Sequence, residues 1–144
     1  MTKRFLAMMP WLIGVEGSKF ENDPDDPGGA TKFGIDQASH PDVDIRNLTQ
    51  AQAMQIYWDS YWSRNHCDNM PYPLGEAFFD VCVNNGRSRA DQLLAVSSDA
   101  ASFLTARDAF YRRLAKFRPK SAKYLQGWLN RDASLRRHLG MCLI

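Results

Sequence analysis

Residues 15–35 read VEGSKFENDPDDPGGATKFGI, and the parsing of this stretch decides the fold. Upstream of it, Phe5, Met9, Leu12 and Glu16 recur at helical spacing, with Met8 and Ile13 beside them, so Glu16 closes an apolar helical stripe. Gly17 follows as the stop. Pro10 conflicts with an unbroken helix, because an interior proline removes a hydrogen bond; the helix is expected to bend at that residue or to begin near it. Downstream, residues 18–44 turn to Asp, Asn, Gly and Pro, with Asp23-Pro24 and Pro27-Gly28-Gly29 as turn signals. A polar loop with a short hairpin from Thr31 to Ile35 is predicted.

The rest of the chain reads as helix. Thr49 suits the cap of a helix running to about residue 64, with Ala53, Ile56, Tyr57 and Tyr61 on one side. Pro73 is placed like a first-turn proline before Phe78, Phe79, Val81 and Cys82, and Asn85-Gly86 ends that helix. A short helix over 88–96, a longer one opened by Asp99 and stopped by Pro119, and a last one carrying Tyr124, Trp128 and Leu135 complete the set. The expectation is a mainly α chain of five to seven helices around one polar loop.

Size and charge narrow the function. With 144 residues and 44% apolar content the chain has material for one core, so a single domain over 1–144 is expected. Residues 1–106 hold 8 basic and 14 acidic side chains, net −6, whereas residues 107–144 hold 10 and 2, net +8. A cationic segment of this kind is either a solvated helix face or a surface for an anionic partner. Cys67, Cys82 and Cys142 share no short spacing, which argues against a disulfide framework or a CxxC metal site and for a reducing site of synthesis. Lys3-Arg4 and the apolar run after them look superficially like a secretory signal. They lack a small-residue cleavage site, contain Pro10 and run straight into Glu16.

Two carboxylates and a hydroxyl, Glu16, Asp25 and Thr31, stand at intervals that suit a glycosidase. Breaking a glycosidic bond takes a protonated acid beside the leaving oxygen and, in most families, a second carboxylate that activates water or attacks the sugar. A carboxyl on an apolar helix face is desolvated and holds its proton more tightly, which suits Glu16 to the first role. Asp25, among Asn22, Asp23 and Asp26, suits the second, with Thr31 holding the water and Gly28-Gly29 letting a sugar chain approach the backbone. The plainer readings are a helix-end carboxylate facing solvent and a turn aspartate bonded to its own backbone.

The same stretch resembles the signature of the glycoside hydrolase family 108 muramidases: Glu-Gly-Gly, then Asn-Asp-Pro, Asp-Pro-Gly-Gly-Ala-Thr and an aromatic-Gly-Ile. The likeness continues in QAMQIYWDSYW at 52–62, FFDVCVNNG at 78–86 and GWLNR at 127–131. Ser18 departs from it, standing where the family has its second glycine. The resemblance implies a lysozyme-like helical fold with its short β region near residues 18–44, N-acetylmuramidase activity and a catalytic role for Glu16. Similarity of the Glu16, Asp25, Thr31 intervals to lysozymes of the phage T4 type implies roles for the other two. Asn22, Gln37, Asn85, Trp128 and Arg131 lie in or beside the matched motifs and are expected substrate contacts, because sugars need amide hydrogen bonds and flat apolar faces. No cofactor or metal is implied.

The likeness also extends to phage endolysins, which implies a monomer kept in the host cytoplasm until the membrane opens and then acting on the wall. On that reading Arg112, Arg113, Lys116, Arg118, Arg136 and Arg137 face an anionic envelope polymer. Other classes fit less well. A zinc amidase would draw ligands from His40, His66, His138 and the cysteines, which show no paired spacing. A calcium loop at Asp23 would lack its twelfth-position Glu, where Gly34 stands. Nucleic-acid binding would rest on Tyr111 and Trp128, whose helical spacing is that of core residues.

Overall fold

The computed structural model describes residues 1–142, and the chain divides into two compact units, Met1–His66 and Cys67–Ile144. In the first unit, helix α1 spans Lys3–Glu16. Thr2 caps it through a hydrogen bond accepted from Phe5 N, and Gly17, at φ 82°, ends it with its N–H on Ile13 O. Phe5, Met8, Met9 and Leu12 are buried as the stripe predicted, and Phe5 packs edge-on against Trp58 and Trp62. The helix continues through Pro10, which is exposed, instead of starting there.

The polar segment carries the hairpin β1 (Thr31–Lys32) and β2 (Ile35–Asp36), antiparallel with Thr31 opposite Asp36 and Lys32 opposite Ile35. Its two-residue turn is Phe33-Gly34, both at positive φ, 53° and 77°, the conformation whose twist matches the flanking strands. Helix α2, Gln50–Tyr57, begins with a full capping box in which Thr49 and Gln52 exchange side-chain and backbone bonds. It continues as a π-helical turn over Trp58–Ser63, with Trp62 wholly buried.

The described residues of the second unit form helices joined by short turns, with no strand among them. A short 3₁₀ turn, Cys67–Asn69, precedes α3 (Leu74–Asn85), with Pro73 at the cap position. Then come α4 (Arg87–Ala95), α5 (Ala100–Phe117), a 3₁₀ stretch over Pro119–Tyr124, and α6 (Leu125–His138). Asp99 caps α5 through Ser102 N. Phe78, Phe79, Phe103, Leu104 and Leu135 are fully buried. Among the described residues the three cysteines form no disulfide, and Cys67 and Cys82 are buried. Among the described residues no helix is long and apolar enough to cross a membrane.

Candidate active site

Glu16 sits where α1 stops, half-buried, at the mouth of a cleft of about 300 Å³ lined by residues 16–19, 21 and 31–34. Three local devices build the cleft. First, the positive φ of Gly17 turns the chain sharply after the helix. Second, Glu21 and Thr31 exchange both backbone hydrogen bonds, at 2.8 and 2.7 Å, so the loop leaves and returns at one place. Third, the loop between them is wound on its own aspartates: Asp23 Oδ1 accepts from Asp25 N and Asp26 Oδ1 from Gly28 N. Such Asx turns are what short acidic side chains favour near proline and glycine.

The structure brings Glu16 and Thr31 to the same cleft. Thr31 is half-buried, and its hydroxyl donates to Gly29 O at 3.3 Å. Asp25 lies on the exposed outer part of the Asx-turned loop and is not in the cleft lining. A carboxylate that sequence reasoning passed over, Glu21, does line it. Its signal was weak, since nothing in its spacing marks it and its placement comes from the pairing with Thr31.

The expected substrate contacts separate. Asn22 is exposed on the loop. Gln37 is folded inward, its amide donating to the carbonyls of His40, Pro41 and Val43 at 3.0, 3.3 and 2.9 Å, and so staples the segment after the hairpin. Asn85, Trp128 and Arg131 belong to a polar cluster of the second unit. Buried Asp80 accepts from Arg107 and Arg131, each at 2.7 Å, and Arg107 also bonds Asp132 at 2.7 Å. Asn85 Oδ1 takes the Arg107 Nε–H and the Tyr111 hydroxyl, while Trp128 stacks on Tyr111 with ring centres 5.0 Å apart. These three side chains hold α3, α5 and α6 together.

Charge in that cluster is unevenly shared. Burial works against the Asp80 carboxylate, yet the charges of Arg107 and Arg131 outweigh it and hold the group below the usual carboxylate range. Asp132 is pushed up to about 8, chiefly by burial, with Asp108 adding to the rise and Arg107 opposing it. Asp132 Oδ2 and Asp108 Oδ1 are buried without a hydrogen-bond partner, and a proton on Asp132 supplies the missing donor. Cys82, raised to about 12 by burial, is an inert core thiol. Among the described residues no three His, Cys, Asp or Glu side chains gather into a metal-binding set.

A helical protein with a carboxyl at the end of its first helix, facing a small hairpin across a cleft, is of the lysozyme-like class. The glycosyl hydrolase 108 family matches residues 9–86, more than half of the chain, and the chain belongs to that family. The match includes Glu16, the loop and the hairpin, and identifies a glycoside hydrolase that degrades peptidoglycan. A solved structure, described as that of Brucella abortus SagA, has a TM-score of 0.75 at 25% identity and covers 95% of this chain and 94% of its own. No curated protein matches the chain.

Proposed function

We propose that the enzyme is an N-acetylmuramidase, cleaving the β-1,4 bond between N-acetylmuramic acid and N-acetylglucosamine, with Glu16 as the acid. The observation that carries this reading is the place of Glu16: the last residue of an apolar helix, opening into a cleft shared with Thr31 and a second carboxylate. Glu16 protonates the leaving oxygen. Asp25, exposed to solvent in its Asx-turned loop, takes a proton from the attacking water, and Thr31 holds that water from inside the cleft. Attack from the opposite face inverts the anomeric centre. Glu21 is the competing base, favoured by its position in the cleft lining.

Of the proposed sugar contacts, Asn22 keeps its role as an exposed amide on the loop, and Gln37 supports the loop from behind. The proposal gives Asn85, Trp128 and Arg131 the task of holding the second unit. The bond is identified by mass spectrometry of fragments released from purified sacculi. Reducing-end N-acetylmuramic acid is expected; reducing-end N-acetylglucosamine, anhydro sugars or free stem peptides would each replace the muramidase reading.

We also propose the setting of a phage endolysin, a monomer stored in the host cytoplasm and reaching the wall once the membrane is permeable. The basic segment supports envelope contact. Arg112, Arg113, Lys116, Arg118, Lys120, Lys123 and Arg137 are exposed, and so are Phe117 and Tyr124 among them. Arg136 is not part of this surface, being buried and paired with Asp108 at 2.7 Å. Retention on sacculi or lipopolysaccharide that falls with added salt, and falls further in Lys120→Glu/Lys123→Glu, is the expected result.

A further inference from the structure

The hairpin turn comes closer to Glu16 than any residue but glycine permits. A Cβ at Gly34 would stand 2.8 Å from Glu16 Cγ and 2.9 Å from its Cβ, and 2.5 Å from the Tyr57 hydroxyl oxygen. Gly34 also sits at φ 77°, so its backbone needs glycine twice over. Beside it, Phe33 holds a left-handed conformation at φ 53°, unusual for an aromatic residue. The turn is bonded from outside the hairpin: the Tyr57 hydroxyl, on a fully buried side chain, donates to Phe33 O at 2.7 Å.

Tyr57 is the last residue of α2, and Glu16 the last of α1, so two helix ends and one turn meet around Gly34. We propose that Tyr57 is the positioning residue of the acid: by latching the Phe33-Gly34 turn, it presses the turn against the stem of Glu16 and limits where the carboxyl can point. The inference rests on the reading of Glu16 as the acid and adds what fixes its aim. Proton transfer requires the carboxyl within hydrogen-bond reach of the glycosidic oxygen, so a carboxyl free to swing loses turnover before it loses binding.

The test is Tyr57→Phe, which keeps the ring and deletes the latch, assayed on a defined glycan chain at a temperature where circular dichroism shows the variant folded. A kcat lower by roughly 10- to 100-fold, with KM within about twofold of wild type, is the expected split. Gly34→Ala reaches the same point from the other side, its Cβ forcing the turn away from both the Tyr57 hydroxyl and the stem of Glu16 while the phenol itself is retained, and serves if Tyr57→Phe does not fold. The two changes combined should lose less than the product of their separate effects, since both disturb one contact. A folded Tyr57→Phe or Gly34→Ala enzyme with wild-type kcat overturns the proposal. Glu16→Gln in the same assay separates the two claims. An inactive Glu16→Gln beside a fully active Tyr57→Phe refutes only the latch, whereas an active Glu16→Gln refutes the acid itself.

Discussion

At the scale of single residues, Glu16 was the most legible position, because its two signals are local: the apolar stripe that precedes it and the glycine that stops the helix. Gly34 was legible only in part. A glycine between two short extended runs marks a turn. That the same glycine lies against Glu16 and Tyr57 depends on chain segments 18 and 23 positions away from it, which no spacing rule reaches. Asp25 is the reverse case, marked by its interval yet placed on the exposed loop outside the cleft lining. Asp25→Asn is expected to lower kcat by about 10²-fold or more, the usual scale of a general base, with azide restoring turnover. Measuring Glu21→Gln beside it decides the assignment, because a loss confined to Glu21→Gln moves the base into the cleft.

At the scale of elements, caps and turns were readable because they act within four residues. Thr49 and Asp99 open α2 and α5 through bonds to Gln52 and Ser102, as a hydroxyl or carboxylate before a helix does. Thr49→Ala removes one half of a capping box on an exposed helix start and is expected to cost about 1 kcal/mol by denaturant unfolding. Pro10 lies inside α1 and does not begin it: proline costs one hydrogen bond and a clash with the carbonyl four residues back, and here the helix persists through that cost with Phe5, Met8, Met9 and Leu12 buried on either side of it. The π-helical turn at Trp58–Ser63, with Trp62 buried in it, was invisible in the sequence, since no periodicity within it marks a departure from the α-helix.

At the scale of the whole molecule, the mainly α plan around one polar loop followed from the order of elements, an apolar helix, a polar loop with a hairpin, then helices, whereas the lysozyme-like class came from the family resemblance of residues 15–35. The ionic cluster of the second unit did not follow, because Asp80, Arg107 and Asp132 lie on three different helices and each looks like an ordinary charged position in isolation. Removing its centre takes one of two arginines from buried Asp80 and the arginine hydrogen-bond donor from buried Asp132, so Arg107→Ala is expected to cost about 3–5 kcal/mol, read from urea unfolding.

The cluster also sets a pH dependence. Asp132 ionises at about 8 when folded, against roughly 3.9 in an unfolded chain. Its contribution to stability is therefore complete below the unfolded value and is lost as pH rises toward the folded one. Asp80, held low, works in the opposite sense, stabilising above the ordinary carboxylate range and failing as pH falls through it. Asp132→Asn imitates the protonated group, and its Tm is expected to fall less than that of wild type between roughly pH 5 and pH 8.5. An equal fall in both would assign the alkaline loss to other groups.

The central claim is that Glu16 is the acid of a wall-degrading glycosidase, and turnover of purified sacculi by Glu16→Gln tests it most directly. The expected result is a folded variant that still binds sacculi and releases reducing sugar ends at a rate lower by about 10²- to 10⁴-fold, the range for loss of a general acid. Release at the wild-type rate by a folded Glu16→Gln enzyme would contradict it.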